Sequence, residues 1–400
     1  MSTSITIDPS VISLSGLGFG NSQIWREMTR AIGALERVVW DDPLIQDDLT
    51  RAEGVRYLTR LLAGAMPMTL DMASPQHPKF FHFLSTRIHW GLPATDCNYQ
   101  WAAVHGDHVY RITGDKGSAH IFDIEVRRGR IARLAQWELF DRRWDFEVNA
   151  NNQIEIVLSR EEQPGNWIRL PEGPADIVFR QYYYDWNTEE SARLKIRCEG
   201  AHYPPPHLTT AEIAERSQLF VDWLRYVPDL CAQVARSYHQ ATENALVFDS
   251  IAFGWKDLKY GKGTYRCAPD EALVLEVKLP EAPYWSIQLS SHFWEARDWH
   301  LRQTSLNGHQ AHIDNDGVFR AVLSHQDPGV PNWLDAGGHE RGLIAIRYFR
   351  APTTPIPAIK RIKVSELRQH LPASTPTVSA EQRQAALRAR ADSVTRRGIE

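Results

Sequence analysis

The sequence predicts a mainly β protein with helical additions, in which two related antiparallel, jelly-roll-like β-sandwich units arise from an internal duplication. Three observations carry that expectation. Apolar residues alternate with period two through two long tracts, from about Tyr99 to Tyr184 and from about Leu246 to Val364. A block with helical spacing at 209–243 stands between them. The two tracts also share motifs in one order. NANNQIEIVLS at 149–159 matches DNDGVFRAVLS at 314–324, displaced by 165 residues. Pro164-Gly165-Asn166-Trp167 answers the segment from Pro328-Gly329 to Asn332-Trp333, and IVFRQYY answers IAIRYFR with Arg180 against Arg347. IFDIEV at 121–126 lies at nearly the same displacement from SIQLS at 286–290. Four elements in one order indicate a duplicated unit.

Along the chain, residues 1–95 read as a helical N-terminal region. Ile24, Met28, Ile32, Leu35 and Val39 recur at helical spacing, and Thr50 with Glu53 reads as a capping box opening a second helix striped by Leu58, Leu61, Leu62 and Ala65. Pro67 ends or kinks that helix. Residues 96–206 form the first β unit, with strands in HVYRITG, AHIFDIEV, QIEIVLS and ADIVFRQYYY. Residues 207–245 read as an inserted helical pair, capped by Thr209 and Glu212 and split at Pro228. Residues 246–370 form the second β unit, and 371–400 a linker followed by a basic helix. The tail 360–400 holds nine Lys/Arg and four Asp/Glu; arginine is interleaved there with alanine rather than with aromatics, which reads as a solvated helix, not a nucleic-acid arm.

Composition narrows the function classes. The formal net charge of −4 gives no polyanion-binding character, and no run approaches the ~18–20 apolar residues of a membrane span. Four scattered cysteines form neither a disulfide framework nor a zinc pattern, and the N-terminus lacks the basic and apolar regions of a secretory leader, so a cytoplasmic location is expected. Neither metal nor organic cofactor is expected. GLGFG at 16–20 mimics a dinucleotide loop, but the expected βαβ unit does not follow, since the element after the next helix is another helix. The excess is aromatic, 14 Trp, 13 Tyr and 14 Phe, and points to sandwich cores or a flat-faced ligand.

RAEGVRYLTRLL, DHVYRITGDKG, VLSREEQPGNW, YWSIQL and above all DNDG…VLSHQDPGVPNWLD-x-GGHERG resemble a bacterial family catalogued as domain of unknown function 1214, often found with a companion domain numbered 1254. The resemblance covers about 50–365 and is most specific at 307–350. It implies a β-rich, two-unit architecture with helices around it, and no activity.

Candidate chemistry lies in the unduplicated segment SSHFWEARDWHLR, where His292 beside Glu295 suits a general acid/base pair. His339 belongs to a Gly- and Pro-bounded loop that suits catalysis or binding. Trp285, Trp294, Trp333, Asn332, Arg347 and Tyr182 are the candidate substrate-binding residues, although the Asn-Trp corners and strand arginines read equally well as structural. His309, His312 and Asp314 are spaced against sharing one metal. Three functions remain open: a cofactor-independent hydrolase or lyase acting on a ring-bearing substrate in an aromatic-lined pocket, a non-catalytic carbohydrate or aromatic ligand-binding protein, and a structural assembly module. The expected partner is a small ring-bearing molecule, with self-association into a homo-oligomer compatible with any of the three.

Overall fold

A computed structural model describes residues 22–240, 242–249, 255 and 257–399. The GLGFG segment lies outside the described residues. The chain is mainly β, with 18 strands in four sheets among the described residues. The first unit comprises β1 (Phe81–Leu84), β2 (Cys97–His105), β3 (Tyr110–Asp115), β4 (Ile121–Arg128), β5 (Glu138–Arg143), β6 (Gln153–Ser159), β7 (Trp167–Arg169), β8 (Pro174–Tyr182) and β9 (Arg193–Cys198). The second comprises β10 (Ala245–Asp249), β11 (Leu258–Arg266), β12 (Glu271–Val277), β13 (Tyr284–Ser290), β14 (Ser305–Asn307), β15 (Phe319–Ser324), β16 (Trp333–Asp335), β17 (Arg341–Phe349) and β18 (Ala358–Lys363).

The duplication is complete at the level of topology. Sheet order β1-β2-β8-β4-β5 is repeated as β10-β11-β17-β13-β14, and β7-β6-β3-β9 as β16-β15-β12-β18. Both Asn-Trp corners are built alike. Asn166 accepts from the Glu147 N–H and donates to the Glu147 and Glu155 carbonyls; Asn332 accepts from His312 and donates to His312 and Arg320. One displacement from the sequence is corrected: Asp123 faces Arg180 across β4–β8 where Ser286 faces Arg347 across β13–β17, so this strand pair is offset by 163 residues. A slip of two residues keeps every side chain on its own face, so the apolar pattern alone cannot detect it.

The larger sheet of each unit is buried on both faces. One face fills its own sandwich, with Ile124, Ile177 and Phe179 in the first and Ile287, Ile344 and Ile346 in the second. The other packs on a core shared with helices α1 (Gln23–Gly33), α3 (Asp48–Met66) and α4 (Thr210–Tyr238), α2 being the short turn Arg37–Trp40. Three details depart from expectation. Helix α3 is capped by Asp47, whose carboxylate accepts from the Thr50 N–H and hydroxyl, so Thr50 lies in the first turn. The inserted block is one 29-residue helix, not a pair. An interior proline costs ~3 kcal/mol, whereas burying each large apolar side chain contributes ~1.5–3 kcal/mol. Trp223, Leu224 and Val227 are fully buried beside Pro228, so packing wins.

The third departure is the tail. Helix α5 (Ala380–Arg396) begins with a complete Ser379–Gln382 capping box but is not a solvated helix. Arg383, Arg390 and Arg397 recur every seven residues, on one face, and are buried at 5%, 8% and 0% exposure. No described helix is long and apolar enough to cross a membrane.

Candidate functional site

The back faces of the two larger sheets meet beneath α4 around a cavity of about 130 Å³. Each unit supplies the same pair of residues. Tyr99 stands opposite Arg180 across β2–β8, and Tyr260 opposite Arg347 across β11–β17. Tyr182, Trp137, Trp255, Trp294 and Ala345 complete much of the wall, and Leu230, Cys231 and Tyr238 of α4 roof it. The Tyr99 hydroxyl accepts the Ala94 N–H and also lies within hydrogen-bond reach of the Cys97 thiol, whereas the Tyr260 hydroxyl accepts the Trp255 N–H and keeps its proton to donate. The Trp255 indole N–H is buried and has no acceptor among the described residues.

The backbone beside the cavity is strained. Leu92 and Trp294 adopt positive φ of 48° and 59°, where side chains other than glycine are uncommon. They are joined through the Leu92 N–H, which donates to the Trp294 carbonyl at 2.7 Å. The Leu92 carbonyl in turn accepts from Arg347 Nη2 at 2.9 Å. Such strain persists where the surroundings over-determine it, and it concentrates at ligand sites.

The two arginines differ in their partners. Arg180 Nη1 lies 2.7 Å from Glu125 and 3.4 Å from Asp123. Arg142 also pairs with Asp123, and Arg127 with Glu125 at 2.9 Å. Burial opposes both carboxylate charges. The surrounding arginines still hold Glu125 below the usual carboxylate range, whereas burial together with Glu125 raises Asp123. Arg347 bonds only neutral groups among the described residues, Gln288 Oε1 at 2.6 Å and the Leu92 carbonyl. Burial works against its charge, yet the ionisable hydroxyls of Tyr99, Tyr284, Tyr182 and Tyr260 hold its pKa above the ordinary arginine value.

Of the residues singled out by sequence, Arg347, Tyr182 and Trp294 line this cavity. Trp285 lies inside the second sandwich, its ring 4.8 Å from Phe319. Asn332 holds its corner, and Trp333 donates to the Ser324 carbonyl while Arg383 covers its ring. His292, Glu295 and His339 do not come together. Each instead meets a different residue of the N-terminal segment: His292 meets Asp42 at 3.2 Å, Glu295 meets Arg60 at 2.9 Å and His339 meets Glu53 at 3.1 Å. The adjacent His292–Glu295 acid/base pair is therefore corrected to separate ties between the second unit and the helices. Burial pushes the Glu295 carboxyl up to about 7, with Arg60 opposing it, but none of the three lines the cavity.

The His292 tie has a consequence in acid. Burial alone would raise the Asp42 carboxyl, but bonds from His292 and the Leu44 N–H, with the charge of Arg236, bring it down to about 2 from 3.8. A depressed folded value stabilises the fold above the unfolded value and loses that contribution as pH falls through the folded one. Melting temperature measured from pH 5 to 2 is expected to fall less steeply in Asp42→Asn than in the wild type; equal slopes would refute the assignment.

Tyr99, Tyr260, Trp255 and Trp137 were missed by sequence reading. The signal for the tyrosines was present, because Tyr99 and Tyr260 are equivalent, but their offset of 161 residues falls outside the 165–167 of the recognised repeat.

No family model matches this chain, and no curated protein matches it. Solved structures do. An uncharacterized protein from Burkholderia cenocepacia is 28% identical with a TM-score of 0.81, over 86% of this chain and 98% of that one. The VPA0106 protein from Vibrio parahaemolyticus is 11% identical with a TM-score of 0.43, over 83% of this chain and 100% of that one. The Burkholderia structure therefore shares the fold over most of this chain.

Proposed function

We propose that the protein binds a small ring-bearing molecule in the cavity between its two β units. The observation that carries this reading is a cavity walled by Trp137, Trp255, Trp294, Tyr99, Tyr182 and Tyr260, with tyrosine hydroxyls and an unpartnered indole N–H among its polar groups. Its size favours one ring: an apolar cavity of ~150 Å³ holds benzene, whereas sites for larger ligands run to ~300–1,000 Å³. A carbohydrate chain is correspondingly disfavoured. Because His292, Glu295 and His339 pair outside the cavity, binding is preferred to His/carboxylate acid–base turnover. Four free, buried cysteines support a cytoplasmic setting. We also propose membership of the domain of unknown function 1214 family, on the 307–350 segment; it adds no activity.

The test is a panel of single-ring compounds and monosaccharides, followed by tryptophan fluorescence and calorimetry on the wild type and on Ala345→Phe. Single-ring compounds are expected to bind the wild type and to lose at least tenfold in affinity when the new ring occupies the cavity. Unchanged binding to a folded Ala345→Phe variant, or a panel with no binder, would refute the reading.

A further inference from the structure

The duplication supplies an internal control on charge. At Arg180 the facing strand carries Asp123 and, two residues on, Glu125; at the equivalent places facing Arg347 it carries Ser286 and Gln288. Two acids in one unit are thus replaced by a hydroxyl and an amide in the other. The Ser286 hydroxyl is itself fully buried and carries no charge. The rest of the polar cluster does not make up the difference. Arg127, Arg142 and Arg180 share Asp123, Glu125 and Asp257, and Asp257, 3.1 Å from Arg142, is shared in turn with Arg350 at 3.7 Å. Arg347, only 4% exposed, is a further guanidinium whose bonds among the described residues go only to neutral groups.

A buried, unpaired guanidinium is costly, because its charge is desolvated without a compensating partner. Here the fold holds the group in place through Gln288 and the strained Leu92 carbonyl, and it lines an aromatic cavity rather than a packed core. Arginine's planar fork matches a carboxylate. We propose that the cavity takes a monocyclic carboxylate, with Arg347 as its counter-ion and the Tyr260 hydroxyl donating beside it. This rests on the cavity being the ligand site. In this arrangement one arginine of the duplicated pair is neutralised internally and the other is left for the ligand, so a dianion or a neutral ring is bound less well.

The experiment compares benzoate, benzamide and acetate by calorimetry on the wild type, Gln288→Glu and Arg347→Gln, with circular dichroism to establish folding. Gln288→Glu gives Arg347 the carboxylate that Arg180 has in Glu125, and it is the decisive variant if Arg347→Gln does not fold. Benzoate is expected to bind the wild type at least tenfold more tightly than benzamide or acetate. In folded Gln288→Glu that preference is expected to vanish, through loss of benzoate affinity with benzamide unchanged. If benzamide binds the wild type as tightly as benzoate, or Gln288→Glu binds benzoate undiminished, the charge assignment is overturned and the ring-binding cavity stands. If neither benzoate nor benzamide binds, or acetate matches benzoate, the cavity reading falls with it.

Discussion

Deleting residues 379–400 is expected to lower stability by more than the ~3–5 kcal/mol that breaking a single buried ion pair costs, with the urea midpoint as the measurement. The reason is the arginine face of α5. Arg383 donates to Gln303 and the Val330 carbonyl and pairs with Asp327. Arg390 donates to the Trp299 and Ser305 carbonyls, and Arg397 to that of Thr95. Asn98 and Ser191, from the first unit, donate to the Arg397 carbonyl. Arg397 also stacks 4.0 Å over Trp186 and 5.0 Å from Trp299, so one residue clasps both units. Removing the helix would strip partners from buried polar groups on both sides. A solvated basic helix would predict an unchanged midpoint, and that result would refute this account.

Asp96→Ala is the second large effect. The Asp96 carboxylate is buried and accepts from Tyr284 at 2.7 Å, Asn307 at 2.7 Å and Trp186 at 2.8 Å. Tyr284 and Asn307 belong to the second unit and Trp186 to the first, so this carboxylate joins them. It also lies in the field of Arg390 and Arg397, whose own pKa values burial drives down to about 9 and about 10. Each of the three donors orphaned by alanine costs ~1–3 kcal/mol, for a total on the order of 3–9 kcal/mol. Asp96→Asn keeps one carbonyl oxygen and is expected to cost about half as much. Urea unfolding followed by both far- and near-ultraviolet circular dichroism checks this. A loss under ~1 kcal/mol for Asp96→Ala, or equal losses for the two variants, would show that the carboxylate does not hold the units together.

Much of the fold is legible in one dimension because its causes are local or repeated. V-L-S strand ends, Asn-Trp corners and the alternation of β6 and β15 depend on residues close in sequence, so their duplication can be read by eye. The candidate site was legible only in part. Arg180 and Arg347 were visible as charges inside apolar strands, and Tyr182 and Trp294 as unusual aromatics. Asp96 gave no signal, because an aspartate in a Pro- and Gly-containing loop looks like an ordinary turn residue.

What the sequence by itself determined is the strand content, the duplication, the helical spacing and the identity of the charges that had to be accommodated. What only the tertiary structure decided is which charges meet. His292 finds Asp42 across 250 positions, and Arg397 reaches Thr95 across 302. The deciding fact is that β8 and β17 are buried along nearly their whole length on both faces. Alternation records that a face is covered but not by what. The second face of each large sheet could have met solvent, a helix or its duplicate; here it meets α4 and the other unit, leaving between them a cavity with one arginine neutralised and one not.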